Sequence, residues 1–110
     1  MVERILVFPA GMPRSLAYLE RALLEGRSVV GSSSLGHDPV RDRYAEWVAL
    51  PYITAPEFES ALVSAVAERR ITGIFTPNPV VWDFLHRHLF RLCPGVKLVN
   101  SSPVAAEVAP

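Results

Sequence analysis

Two kinds of apolar segment alternate along the chain. Ile5-Leu6-Val7-Phe8 is an unbroken apolar run with two β-branched residues, the pattern of a strand buried on both faces in a parallel sheet. Pro9-Ala10-Gly11-Met12-Pro13 breaks it. Leu16, Leu19 and Leu23 then share one helical stripe, with Gly26 as its stop. Ser28-Val29-Val30-Gly31 predicts a second strand, joined to the first by a right-handed crossover. From Ser32 to Glu46 the pattern is lost except for a helical turn between Val40 and Ala45, and long loops of this kind tend to be functional. Trp47-Val48-Ala49-Leu50 is a short third strand, stopped by Pro51. Thr54-Ala55-Pro56-Glu57 has the form of a capping box ahead of a helix whose stripe is Phe58, Ala61, Leu62, Ala65 and Val66, ending near Arg70. Gly73-Ile74-Phe75-Thr76 predicts a fourth strand. Pro77-Asn78-Pro79 opens a third helix with Val81, Phe84, Leu85, His88 and Leu92 on a broad face, closed by Pro94-Gly95. Val96–Val99 is a fifth strand, and Ser101-Ser102-Pro103 signals a further helix start. The order β-α-β-β-α-β-α-β predicts a Rossmann-like α/β fold: an open, mostly parallel five-stranded sheet with helices on both faces.

Composition narrows the function. A chain of 110 residues is one domain's worth, and with half of them hydrophobic it has enough apolar surface for a packed core. Eleven basic residues balance eleven acidic ones, so the electrostatic footprint of a nucleic-acid binder is missing and no nucleic-acid partner is expected. No signal peptide and no run of about twenty apolar residues occurs, so no membrane partner is expected either. Cys93 is the only cysteine. It excludes an intrachain disulfide and a cysteine-based zinc site, which fits a cytoplasmic protein.

The chemistry-bearing motifs are few. The turn after the first strand holds one glycine, Gly11, where a dinucleotide-binding fingerprint needs three, and serines stand where an acidic residue would take the ribose. The only lysine, Lys97, lies in the last strand, so there is no phosphate-binding lysine loop. His86 and His88 are two residues apart on a helix, roughly 200° around its axis, and cannot share an ion. Asp83 and Arg87 are spaced for a surface ion pair, and Cys93 reads as a buried small hydrophobe. No catalytic residue and no metal ligand set is identified. In an open α/β sheet, ligands bind beyond the C-terminal strand ends. Four segments converge there: Ala10 to Ser15, Ser32 to Asp38, Thr76 to Asn78 and Asn100 to Ser102. The candidate substrate-binding residues are therefore Gly11, Arg14, Ser15, Ser32, His37, Asp38, Thr76 and Asn78. Helix capping is the competing role for Ser15, Asn78 and Ser102. Trp47 and Trp82 are core residues or, alternatively, interface anchors.

The residue order resembles the N-terminal (pre-ATP-grasp) domain of ATP-grasp enzymes, the group of biotin carboxylase, the carbamoyl phosphate synthetase large chain and D-alanine–D-alanine ligase. The resemblance is carried by Arg4-Ile5-Leu6-Val7 with its following helix and by Arg43-Tyr44-Ala45-Glu46-Trp47-Val48-Ala49-Leu50-Pro51. It continues through the helix from Glu57, through Ile71-Thr72-Gly73-Ile74-Phe75-Thr76-Pro77, and through Val96 to Ser102. It implies a domain over residues 1–110, truncated within the helix begun at Ser102-Pro103. The chain departs from many members in lacking a glycine-rich first turn and a His-Pro-Gly or His-Gly loop after the fourth strand.

The resemblance implies the N-terminal, substrate-side domain of an ATP-dependent carboxylate–amine ligase, in which an acyl phosphate is attacked by an amine. ATP and magnesium would belong to the missing later domains, with no cofactor in this chain and no catalysis by it alone. The substrate would be a small molecule, walled by Gly11 to Ser15 and by Thr76-Pro77-Asn78. The alternative is a stand-alone Rossmann-like module for a small nucleotide or metabolite, using the same crevice. A third reading is an interaction domain without a ligand. Apolar surface bared by truncation would also permit a homodimer.

Overall fold

The computed structural model describes residues 3–35 and 37–103. Its elements are β1 (Arg4–Val7), α1 (Pro13–Leu24), β2 (Ser28–Ser33), a 3-10 turn (Arg41–Arg43), β3 (Glu46–Ala49), α2 (Phe58–Arg69), β4 (Gly73–Phe75), α3 (Pro79–Leu92) and β5 (Lys97–Leu98). The strands form one sheet in the order β3-β2-β1-β4-β5, and every pairing is parallel. The chain is thus a small α/β domain with a parallel five-stranded sheet flanked by helices, consistent with a generic Rossmann-like topology. The helix expected to run on from Ser102-Pro103 lies, past Pro103, outside the described residues.

Strand alternation divides the core in two. Leu6, Phe8, Val30 and Ile74 face one way and pack on Phe58, Leu62 and Ala65 of α2 and on Val81, Leu85 and Leu89 of α3. Ile5, Val7 and Val29 face the other way, onto Leu19 and Ala22 of α1 and onto Tyr44. Each fully buried Leu, Ile, Val or Phe contributes about 1.5–3 kcal/mol, so β1, with Ile5, Leu6 and Val7 all buried, anchors both layers.

Gly26 and Gly31 are among the glycines that the geometry requires. Gly26 ends α1 in the left-handed region at φ +75°, which costs an L side chain about 1 kcal/mol or more. Gly31 on β2 lets the rings of Tyr44 and Trp47 lie against the strand: a Cβ there would sit 2.6 Å from Tyr44 Cγ and 2.8 Å from Trp47 Cε3.

At the N-terminal edge of the sheet, Arg4 joins four segments. Its Nε donates to the Arg69 carbonyl (2.6 Å), one terminal nitrogen to Ser28 Oγ (2.9 Å) and the other to Glu46 (2.8 Å). Its backbone N–H donates to Thr72 Oγ1 (3.0 Å). Arg69 adds a second contact to Glu46 at 3.3 Å. The hydrogen bond from Arg4 holds the Glu46 carboxyl below its ordinary range, and the charges of Arg4 and Arg69 add to this.

Three expectations are corrected. The Thr54 capping box does not form, because Tyr52–Ala55 closes a turn instead (Ala55 N–H to Tyr52 carbonyl, 2.9 Å) and α2 starts at Phe58 with no side-chain cap. Pro56 lies between that turn and the helix. Ser32 and Ser33 belong to β2 and are buried rather than looped, since their backbone pairs with Val48 and Ala49 of β3. Ser15 is not a cap; it sits inside α1, whose N-cap is Met12.

Candidate functional site

The sheet reverses its strand order at β1. From β1 the chain passes through α1 to β2 on one side, and β4 lies on the other. At such a switch point the loops beyond the strand ends part and leave a crevice.

The turn after β1 is held from both sides. Phe8 N–H donates to the Phe75 carbonyl (3.1 Å) and Ala10 N–H to the Ser32 carbonyl (2.8 Å). The Ser15 hydroxyl donates to the Pro9 carbonyl, and the buried Tyr44 hydroxyl to the Ala10 carbonyl at 2.9 Å. Burial pushes the Tyr44 hydroxyl far above the ordinary tyrosine range, and the nearby Asp38 charge pushes it further. Asp38 is itself buried; its Oδ1 accepts from Val40 N–H (2.9 Å). A Cβ at Gly11 would lie 3.6 Å from both Asp38 carboxylate oxygens. His37, the neighbour, is exposed.

The turn after β4 has a similar clasp. Asn78 N–H donates to Thr76 Oγ1 at 3.2 Å, and Asn78 Oδ1 accepts from Val80 and Val81 N–H at 2.9 and 3.1 Å, capping α3. Asn100 brackets Thr76: its Oδ1 accepts from the Thr76 N–H (3.2 Å) and its Nδ2 donates to the Thr76 carbonyl (2.8 Å). Trp82 Nε1 donates to the Asn100 carbonyl (2.9 Å), tying α3 to the strand after it. Ser32 is the exception among these hydroxyls. It is fully buried and its Oγ has no hydrogen-bond partner.

Two grooves flank the switch point, one on each face of the sheet. On the α3 side a groove of about 250 Å³ is lined by Phe8, Pro9, Ser34, Tyr52, Ile53, Asn78, Val80 and Val81. On the α1 side a groove of about 330 Å³ is lined by Arg14, Ala17, Tyr18, Arg21, Phe75, Pro77, Asn100, Ser101 and Pro103. Its lining includes the stacked pair Tyr18–Phe75, with centroids 4.2 Å apart and planes 13° apart. The Tyr18 hydroxyl is buried without a well-formed hydrogen bond; burial raises its pKa, opposed by the nearby Arg27.

The eight candidate residues therefore separate. Asn78 lines one groove and Arg14 the other, while Gly11, Ser15, Ser32, His37, Asp38 and Thr76 line neither. Ser15, Asp38 and Thr76 hold the turns that shape the crevice. Sequence reasoning missed Arg21, Tyr18 and Phe75 on one side and Tyr52, Ile53, Val80 and Val81 on the other. The first set carried a signal: Arg14, Ala17, Tyr18 and Arg21 recur at helical spacing on one stripe of α1.

The remaining motifs resolve structurally. Asp83 and Arg87 pair at 3.1 Å on the surface. His86 stacks on Trp82 and His88 lies against Phe84. Trp47 packs against Tyr44 within the core layer of α1. Cys93 is a free, buried thiol, pushed up in pKa by burial. No group of three or more metal-ligating side chains gathers among the described residues. No helix among them is long and apolar enough to cross a membrane. No family model and no curated protein matches the chain.

Proposed function

We propose that this chain is the N-terminal, substrate-side domain of an ATP-dependent carboxylate–amine ligase of the ATP-grasp type, without catalysis of its own. The observation that carries the reading is the clasped meeting of the turns after β1 and β4 at the switch point. These are the two turns that the resemblance assigns to the wall of a substrate site, and both have a groove beside them. The described residues do not suit ATP and magnesium. Lys97 opens β5, at the sheet end away from the two grooves beside the turns; it lines a separate groove with Glu3, and no cluster of acidic ligands accompanies it among the described residues. On this reading such binding would belong to other domains.

The test is the mass of the native protein in its source cells. A native chain larger by roughly two hundred residues, the size of one or two further domains, supports the reading; a native mass of 12.1 kDa refutes it. The absence of catalysis is checked separately. Turnover of ATP by the 110-residue chain alone would overturn that part.

A second reading, a stand-alone module for a small nucleotide or metabolite, is favoured by the apolar groove beside the capped start of α3. Calorimetry of the chain against a nucleotide panel decides it. Micromolar binding that is lost on filling the groove with Val80→Trp supports it, and no heat from any member refutes it.

A further inference from the structure

We infer that the groove between α1 and the β4–β5 half of the sheet is a binding site for a planar aromatic anion, whose charge is held by Arg14 and Arg21. The groove's volume, about 330 Å³, suits a one- or two-ring compound. Its lining is aromatic on the sheet side, where Phe75 and Tyr18 lie stacked almost in parallel. A flat ring laid there finds dispersion contact and an offset-stacking partner. Its polar lining pairs two cations, Arg14 and Arg21, with Asn100 and Ser101, and no acidic residue lines it among the described residues.

Neither arginine has an ion pair or a side-chain hydrogen bond among the described residues. Most other arginines of the chain do pair: Arg4 and Arg69 with Glu46, Arg27 with Glu3 and Glu25, Arg43 with Glu20, Arg87 with Asp83, Arg91 with Glu59. Arg14 also stands in the first turn of α1, where the helix dipole disfavours a cation. That turn contains no acidic residue and its N-cap gives no side-chain hydrogen bond. The local charge is therefore unbalanced at the groove mouth, and a carboxylate or phosphate there restores the balance. Guanidinium suits both, since its donors can grip two oxygens at once and its plane can lie along an aromatic ring.

The inference deepens the ligase reading, in which the anion is the acid substrate, and it rests on that reading for the natural role alone. Binding of the probes below is measured on this chain itself. Its outcome is independent of the native mass, so the two ideas fail separately.

The experiment is an amide chemical-shift titration of the complete chain with four probes. These are 2-naphthoate, 2-naphthyl phosphate, the uncharged 2-naphthylmethanol, and inorganic phosphate. The expected result is saturable binding of both aromatic anions with a Kd of about 1 mM or tighter, centred on Tyr18, Phe75, Asn100 and Ser101. The uncharged ring and inorganic phosphate should bind at least about five-fold more weakly, because each lacks one half of the recognition. The double variant Arg14→Gln/Arg21→Gln should lose the preference for charge while keeping its thermal midpoint, since both side chains are exposed and unpaired among the described residues. The tighter of the two anions identifies the natural head group as carboxylate or phosphate. Equal affinity for 2-naphthylmethanol, shifts centred elsewhere, or anion binding unaltered in the double variant would each overturn the inference.

Discussion

Replacing Gly31 by alanine probes the closest packing in the α1-side layer. The new methyl would lie 2.6 Å from Tyr44 Cγ, and 2.8 Å from both Tyr44 Cδ2 and Trp47 Cε3. Carbon atoms rest at about 3.5–4.0 Å, so the rings must retreat by roughly 1 Å. Tyr44 has little room to do so. It is 6% exposed, its hydroxyl is bonded to the Ala10 carbonyl, and its ring meets the edge of Trp47 at a centroid distance of 5.8 Å. Overpacking of this kind costs about 1–3 kcal/mol. The reduced freedom of the unfolded chain returns about 0.4–1 kcal/mol. The net expectation is a loss of roughly 1–2 kcal/mol, or about 5–10 °C in Tm for a domain of this size. Urea unfolding followed by tryptophan fluorescence and far-ultraviolet circular dichroism measures it. The decisive comparison is Gly31→Ala in a Tyr44→Ala background, where one of the two clashing rings is gone and Trp47 can shift into the vacated space, so the added methyl should cost at least about 0.5 kcal/mol less than in the parent. A Gly31→Ala variant as stable as the parent, or full additivity in the double variant, would refute the packing argument.

Other perturbations test separate parts of the structure. Asn78→Ala removes the cap shared by Val80 and Val81 N–H and should destabilise by about 1 kcal/mol, measured by the same urea titration. Arg70 ends α2 in the left-handed region at φ 55°, so Arg70→Gly should stabilise by about 0.5–1 kcal/mol, and a lower Tm would contradict it. Because the folded-state pKa of Tyr44 is raised, its contribution is complete below the unfolded value near 10.0 and is lost as pH rises past it. Alkaline unfolding should accordingly be milder in Tyr44→Phe, relative to that variant's own stability at pH 8. Glu46 runs the other way. Its lowered pKa adds stability above the ordinary carboxylate value that fades as pH falls through the folded one, and Glu46→Gln should flatten the acid limb of the stability–pH curve. Cys93 should react with a thiol reagent far more slowly in the folded chain than in guanidinium chloride, in line with its burial.

Periodicity in the sequence revealed the elements, because burial repeats every two or every 3.6 residues and leaves a mark on residue type. It placed β1, α1, β4 and α3 within a residue or two, and Asn78-Pro79 correctly as a capped helix start. The errors fall where a small polar residue has two good uses. Ser32 and Ser33 read as loop by composition, yet the partner that decides their fate is β3, sixteen residues on. Thr54 has the right spacing for a capping box, but the neighbouring turn through Tyr52 engages the backbone first. The candidate site was legible as a set of converging loops, not as a cavity. Whether a hydroxyl faces a ligand or a carbonyl depends on which turn lies opposite, and Ser15, Thr76 and Asn100 each meet backbone groups that local sequence does not specify. The role of Tyr44 was hidden for the same reason, since its acceptor lies 34 residues away.

The central place of β1 has a bearing on how the chain is made. Of the five strands β1 is made before the others, and its β4-side contacts are distant: Arg4 and Thr72 are 68 residues apart. Until β4 is synthesised, a strand that runs into the buried apolar stretch Ile5 to Phe8 has one bare hydrogen-bonding edge. Such an edge invites pairing with other chains. Completion of β4 closes it and transfers the margins of the sheet to β3, which opens with Glu46, and to β5, only two residues long and beginning with Lys97. A nascent or proteolytically shortened chain ending before Gly73 is therefore prone to aggregation, while the completed fold keeps that strand in the middle.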